Sequence, residues 1–300
     1  MDNNYLHVNG TVRKQLNDTD ENRIQRIKSQ RWIGHGHAHQ IMAELNALIV
    51  HPQKSRMPNL LIVGDTNSGK TTIIKRFCSD YLPEDDPKEG TIKVPVMYIQ
   101  MPPVPDEGRF YEAMLDFLFA PYRARDSIGT KQRILIRILK TLGVRMLIID
   151  EFQHVLAGRA NQQRTFLNAL KYIGNELMIP IVAGGTKESL RAIQIDPQLE
   201  NRFKTAALPK WQMDLEFRKL LASFERLLPL KEKSDLAGRT LAPKLHYLSN
   251  GVIGELSELL NIGAELAIRM GIEKINDEVL EEVKWIPPGE RRIRARELLD

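Results

Sequence analysis

A chain of 300 residues can build one large domain or two modest ones, each with a real core. Its 42% hydrophobic and 27% charged residues are ordinary for a globular protein, and no apolar run approaches the ~20 residues that span a bilayer. A formal charge of +5 permits nucleic-acid binding without requiring it, and the single cysteine, Cys78, excludes an internal disulfide framework. These features point to a reducing cytoplasm and no membrane partner.

In chain order, residues 1–30 are polar and poor in aromatic side chains, which predicts a loosely ordered arm. A helix is expected over 38–50, where Ile41, Leu45 and Leu48 form one stripe. "PNLLIVG" (58–64) has the character of a fully buried strand, followed by a polar loop and a helix. Cys78 falls on that helix's apolar side, where a small buried hydrophobe is expected. "KVPVMYIQM" (93–101) predicts a second strand, followed by a helix carrying Tyr111, Met114, Leu115 and Leu118. An amphipathic helix with a basic outer face covers 130–143, and "VRMLIIDE" (144–151) predicts a third strand ending in two carboxylates. A helix over 162–177 and a fourth strand, "IPIVAGGT" (179–186), complete the alternation. Strands apolar throughout and separated by helices argue for a parallel sheet covered on both faces. After residue 208 the strand signal ends, and helical periodicity predicts a small all-α domain over 209–285. A proline break then opens a basic tail, 286–300, whose Arg291, Arg292, Arg294 and Arg296 suit DNA, a partner or a free end.

The loop at 64–71 carries the chemistry. Gly64, Asp65, Thr66, Asn67, Ser68, Gly69, Lys70 and Thr71 match G-x-x-x-x-G-K-[ST] between a predicted strand and a predicted helix. In such a loop the backbone N–H groups turn inward around phosphates, and the helix N-terminus, here Lys70 to Thr72, adds its positive end. Lys70 should reach the β- and γ-phosphates of ATP, and the Thr71 hydroxyl should hold Mg²⁺. Asp150 and Glu151 end a buried strand at the edge where α/β sheets bind ligands. Asp150 suits Mg²⁺, and Glu151 suits a base that polarises an attacking water, which favours hydrolysis over transfer to a small molecule. Thr186, at the end of the fourth strand, suits the water or the γ-phosphate, and equally an ordinary turn. Arg202, in "QLENRFKT", could enter a neighbouring subunit's γ-phosphate site, or be a solvated helix-end residue.

Two further features leave alternatives open. His35, His37 and His39 in "GHGHAH" have a spacing that Zn²⁺ could use, but no cysteine or carboxylate accompanies them and a helix start breaks the alternation. Arg123, Arg125, Lys131, Arg133 and Lys140 form either a sequence-independent DNA-phosphate surface or a solvated helix face.

Together "GDTNSGKT", "LIIDE", "VAGGT", "ENRF" and the helical region resemble an AAA+ ATPase. "RWIGHGHAHQIMAELNALIVHPQKSRMPN", "RMLIIDEFQHVLAG", "IPIVAGGTKESLRAI" and "LSNGVIGELSELLNIGAELAI" resemble more narrowly the TniB/TnsC group, the ATPase regulators of Tn7-like and related transposons. The resemblance spans roughly residues 31–270. It implies an α/β P-loop AAA+ core over 31–208 with a parallel five-stranded sheet, followed by a small all-α lid. It also implies ATP-dependent homo-oligomers, as rings or helical filaments, on double-stranded DNA. Their partners would be a DDE transposase and a TniQ-like target selector, and the segment containing Ile33 and Gly34 would lie near the adenine. One departure is plain: "SNGVIGELSEL" has no arginine beside Gly254 and Glu255, where many AAA+ lids place one. Slow hydrolysis, with the nucleotide as an assembly switch, is the expectation. The alternatives are a helicase-loader-like ATPase and a STAND-type switch acting on proteins. For the latter, residues 286–300 leave little room for a sensor region.

Overall fold

The computed structural model describes residues 5–29, 31–87 and 90–297, and divides into two compact units, His37–Leu208 and Met1–Gly36 with Pro209–Asp300. In the first unit, β1 (Asn59–Gly64), β2 (Val96–Gln100), β3 (Met146–Asp150), β4 (Ile181–Gly185) and β5 (Phe203–Leu208) form one sheet in the order β2-β3-β4-β1-β5. Every pairing in it is parallel. All residues of β1, β3 and β4 are buried, so both faces are covered. The edge strand β5 differs: Lys204 and Thr205 are exposed, and only Ala206 and Leu208 are buried. The other edge strand, β2, keeps a mostly buried apolar run, whereas β5 does not, which is why periodicity alone finds four strands here and not five. A short hairpin, Glu84–Asp86 with Thr91–Lys93, stands apart from this sheet.

The helices of this unit follow the apolar stripes. They are α3 (Gly36–Ile49), α4 (Lys70–Ser79), α5 (Glu107–Phe117), α6 (Ile128–Thr141), α7 (Ala160–Leu177), α8 (Glu188–Gln194) and α9 (Pro197–Glu200). Side-chain oxygens of Asp106 and Ser127 accept from Arg109 N and Thr130 N, capping α5 and α6. Met97, Ile99, Leu147 and Ile149 of the sheet share one cluster with Phe110, Tyr111, Leu135, Phe166 and Leu170 of the helices. Cys78 is half-buried, and burial pushes its thiol up to about 11, so it stays protonated near neutrality.

The second unit contains α1 (Gly10–Gln15) and α2 (Asp20–Lys28) together with α10 (Leu215–Glu225), α11 (Leu241–Ser249), α12 (Ile253–Arg269), α13 (Asp277–Glu282) and α14 (Pro288–Glu297). Residues 1–30 are thus not a loose arm within their described part. Ile24 and Ile27 enter the same core as Phe217, Leu245, Leu256 and Leu260. Val8, Val12 and Leu16 make a small cluster of their own, and Asn9 N donates to Arg226 O at 2.9 Å. The segment hides its role because a few apolar residues and one charged one do the anchoring. Arg23 is 0% exposed; it donates to Glu273 Oε1 and Oε2 at 2.6 and 2.8 Å, to Asp20 at 2.8 Å and to Pro229 O at 3.0 Å. Burial alone would raise the Glu273 carboxyl, but the Arg23 guanidinium and the Lys231 N–H hold it below its usual range.

A buried guanidinium with a two-point partner is costly to break from one side only. Arg23→Ala is therefore expected to destabilise the chain by about 3–5 kcal/mol in urea unfolding followed by tryptophan fluorescence. Because Glu273 has a lowered folded-state pKa, its contribution is present above the unfolded carboxyl pKa and is lost as pH falls through the folded value. The acid step should be smaller in Arg23→Ala than in wild type.

Candidate nucleotide site

The eight residues from Gly64 to Thr71 run from the last residue of β1 through a tight loop, 65–69, into the first turn of α4. Two glycines make it possible. A Cβ on Gly64 would lie 2.4 Å from Ser68 Oγ and 3.0 Å from Leu208 O, and Gly69 sits at φ 90°, in the left-handed region. Asn67 is also left-handed, at φ 61°. Lys70, 7% exposed, folds across the loop and donates to Gly64 O at 2.9 Å, Asp65 O at 2.8 Å and Ser68 Oγ at 3.3 Å. Burial lowers its pKa, while the charges of Asp150, Glu151 and Asp65 pull the other way. Thr66 is exposed, Thr71 and Thr72 are partly exposed, and Lys187 pairs with Asp65 at 3.4 Å.

β3 delivers the second half of the site. Thr71 Oγ1 donates to Asp150 Oδ2 at 2.7 Å, joining residues 79 positions apart. The same Asp150 oxygen accepts from Tyr98 OH at 3.3 Å, while Oδ1 accepts the Glu151 N–H at 2.9 Å. Burial and then the Asp150 charge push the Tyr98 hydroxyl up to about 12, so it remains a donor. Asp150 is 2% exposed, so a hydroxyl and a carboxylate, both hard oxygen donors, converge at the mouth of the loop. That donor set fits Mg²⁺.

Glu151 leaves the strand at φ 57° and ψ 38°, a left-handed conformation that is uncommon for glutamate and turns the chain into a 3₁₀ segment, Phe152–Ala157. Phe152 and Val155 bury themselves in the core and hold this turn in place. Its carboxylate accepts from Gln153 Nε2 at 2.5 Å. Gln153 Oε1 in turn accepts from Thr186 N at 3.1 Å, so one amide links Glu151 to the end of β4. Thr186 Oγ1 donates to Glu188. Neither Tyr98 nor Gln153 figures among the sequence candidates. The signals available were the tyrosine set among apolar residues in "VMYIQ" and a glutamine two positions after Glu151.

Arg202 lies at the other end of the same sheet. Its carbonyl accepts from Asn59 N at 2.8 Å, where β1 begins, and its guanidinium donates to Asn175 Oδ1 at 2.9 Å. The P-loop begins where β1 ends, five residues or about 17 Å further on at ~3.3 Å per residue. An arginine side chain is too short to cross that distance, so Arg202 does not serve its own P-loop.

The family model described as "Bacterial TniB protein" matches residues 23–213. The chain belongs to the TniB family. No curated protein sequence matches it significantly. Among solved structures, it is similar to the Aeropyrum pernix ORC2 protein (TM-score 0.61, 19% identity, 86% of this chain and 71% of that one). It is also similar to Cdc6p from Pyrobaculum aerophilum (0.60, 16%, 86% and 69%) and to the Aeropyrum pernix ORC1 protein in complex with DNA (0.56, 16%, 87% and 68%). At these identities the likeness is one of fold: the TniB-family chain has the AAA+ ATPase architecture, a parallel five-stranded core and a helical region.

Not every expected residue of the TniB-family chain falls where its sequence suggested. Lys131 is 5% exposed; its ammonium pairs with Glu112 at 2.6 Å, donates to Ala124 O and lies over the Tyr122 ring. It is an internal strut and not a phosphate contact, because it faces α5 on the inner side of α6. Arg123, Arg125 and Arg133 are exposed, whereas Lys140 pairs with Glu176 at 2.8 Å. Ile33 belongs to the helical unit, where it packs on that unit's core, and His35 meets Trp211 edge-on at 5.1 Å. In the tail, Arg291 is engaged: it donates to Glu255 Oε2 at 2.5 Å and lies over Trp285. An arginine thus lies beside Glu255 in space, from α14, although the local sequence has none there. Arg294 is exposed, and the side chains of Arg292 and Arg296 lie outside the described residues.

Proposed function

We propose that this chain is an ATP-dependent regulator of transposition. In this reading, ATP-bound copies assemble on double-stranded DNA and present a platform to a DDE transposase and a TniQ-like target selector. Hydrolysis then disassembles them. The observation that carries the reading is the separation of Arg202 from the P-loop. A site with the loop, the Asp150–Thr71 pair and Glu151, but with its arginine at the opposite end of the strands, is completed by a second copy arranged head to tail. TniB-family membership supplies the transposon context, and the fold shared with an ORC1 protein solved on DNA supports duplex as the template.

In the assembled site, Lys70 and the loop N–H groups bind the phosphates, and Thr71 and Asp150 would hold Mg²⁺, which would supply positive charge against the phosphates. Glu151 accepts the proton of the attacking water, oriented by its left-handed turn and by Gln153. Arg202 of the neighbour meets charge that develops on the γ-phosphoryl oxygens.

Duplex binding followed by fluorescence anisotropy tests the switch. With a non-hydrolysable ATP analogue, binding should be tight at low salt and should weaken log-linearly as salt rises, with a slope of about −0.9 per neutralised phosphate. Without nucleotide it should be weaker by at least about tenfold, a difference of roughly 1.4 kcal/mol. Nucleotide-independent, salt-insensitive binding would overturn the reading.

A further inference from the structure

The segment between α3 and β1 builds a feature that the P-loop of its own chain does not use. His51, Lys54, Arg56 and Arg202 line an open cleft of ≈ 540 Å³ at the sheet edge where β1 and β5 begin, and its other lining residues are uncharged. The segment is anchored from beneath. Met57 is 5% exposed and its Sδ accepts from Lys54 N at 3.2 Å, while the Asn59 N–H to Arg202 carbonyl bond ties the segment to the base of Arg202. Lys54 and Arg56 are exposed, and among the described residues neither makes an ion pair. Three permanent cations around one concavity, with no carboxylate lining it, repel one another in water. Such an arrangement favours a compact ligand carrying several negative charges.

We propose that this cleft receives the polyphosphate of a nucleotide held by the P-loop of a second copy, with Arg56 contacting it as a second cation beside Arg202 and Lys54 at the rim. The proposal rests on the reading that neighbouring copies complete each other's sites, and adds to it a second residue with a separate test. Arg202, which that reading places at a neighbour's γ-phosphate, lines the same cleft as Arg56, which argues for the nucleotide in preference to duplex. A partner that places its γ-phosphate at Arg202 thereby brings it to the cleft that Arg56 also lines. Arginine suits the role because its planar fork spans two phosphate oxygens.

Phosphate release on duplex DNA, with full-length chains alone and in equal mixtures, tests the assignment. Arg202→Ala should lose about 10³-fold in turnover, and Arg56→Ala about tenfold or more. Both should bind an ATP analogue as wild type does when monomeric, because their own P-loops are intact. Arg56→Lys should keep more activity than Arg56→Ala, and Arg56→Glu less; Arg56 is exposed, so these variants fold. Mixing Arg56→Ala with Lys70→Ala should restore activity, since about a quarter of randomly formed head-to-tail interfaces then join an intact loop to an intact cleft. If Arg56→Ala turns over like wild type while Arg202→Ala is dead and complemented by Lys70→Ala, this inference falls and the shared-site reading stands. If Arg202→Ala also keeps wild-type turnover, or its loss is not complemented by Lys70→Ala, the shared-site reading falls with it. Weakened nucleotide binding by monomeric Arg56→Ala would likewise overturn the inference, placing Arg56 at its own chain's site.

Discussion

Lys70→Ala should lower ATP turnover by at least about 10²–10³-fold and remove the rise in melting temperature that ATP gives the wild type. The ammonium is already out of bulk water, held by two loop carbonyls and the Ser68 hydroxyl. Its burial is thus met before any ligand binds, and re-aiming it towards phosphate oxygens exchanges neutral acceptors for charged ones. Charge-assisted hydrogen bonds are roughly twice as strong as neutral ones, so the exchange favours the bound state. The loop carbonyls left behind by alanine can reach water, and the strand and helix on either side are anchored by Ile62, Ile73, Ile74 and Phe77, all buried. The variant should therefore fold, with a urea midpoint close to wild type. At a ligand concentration of 100 times Kd, wild type gains about 2.7 kcal/mol from binding, and the variant should gain essentially none. A Lys70→Ala chain that hydrolyses ATP within tenfold of wild type would contradict the assignment of Lys70 to the phosphates.

Strands β1 to β4 and the P-loop were legible because they obey local rules: apolar runs between helical stripes, and glycines where only glycine fits. Asp150 and Glu151 were legible as a pair at a strand end, and the structure brings Asp150 within 2.7 Å of Thr71. Other features depend on long-range pairing that periodicity cannot register. β5 is an edge strand with two exposed polar residues, so its pattern is weak. The N-terminal helices look like a polar arm because Arg23, the residue that fastens them, is a charge; partners 206 and 250 positions away help make its burial tolerable. Lys131 has the spacing of a basic outer face, yet Glu112 and Tyr122 from a neighbouring segment draw it inward. Arg291 reaches Glu255 across 36 positions, and no local window shows that either. In each case the sequence shows the residue type, and the partner decides its role.

Glu151→Gln should separate hydrolysis from binding. Turnover is expected to fall by about 10²–10³-fold, because an amide cannot take the proton of the attacking water. ATP affinity should stay within about threefold of wild type, a difference of under 1 kcal/mol, since no phosphate contact is assigned to this side chain. The substitution preserves shape, so the left-handed turn at φ 57° and the buried Phe152 and Val155 behind it are undisturbed. Gln153 should still find an acceptor in the new side-chain carbonyl, which keeps the tie to Thr186 N. Loss of a proton acceptor without loss of geometry makes this variant more informative than alanine, which would also free Gln153. If hydrolysis ends the assembled state, Glu151→Gln chains loaded with ATP should leave duplex DNA far more slowly than wild type. Wild type with a non-hydrolysable analogue should match them. Dissociation measured by competitor challenge reads both rates. Glu151→Gln chains that leave DNA as quickly as wild type, despite failing to hydrolyse ATP, would show that release is not coupled to the chemistry. Chains that hydrolyse ATP at the wild-type rate would instead move the general base to another residue.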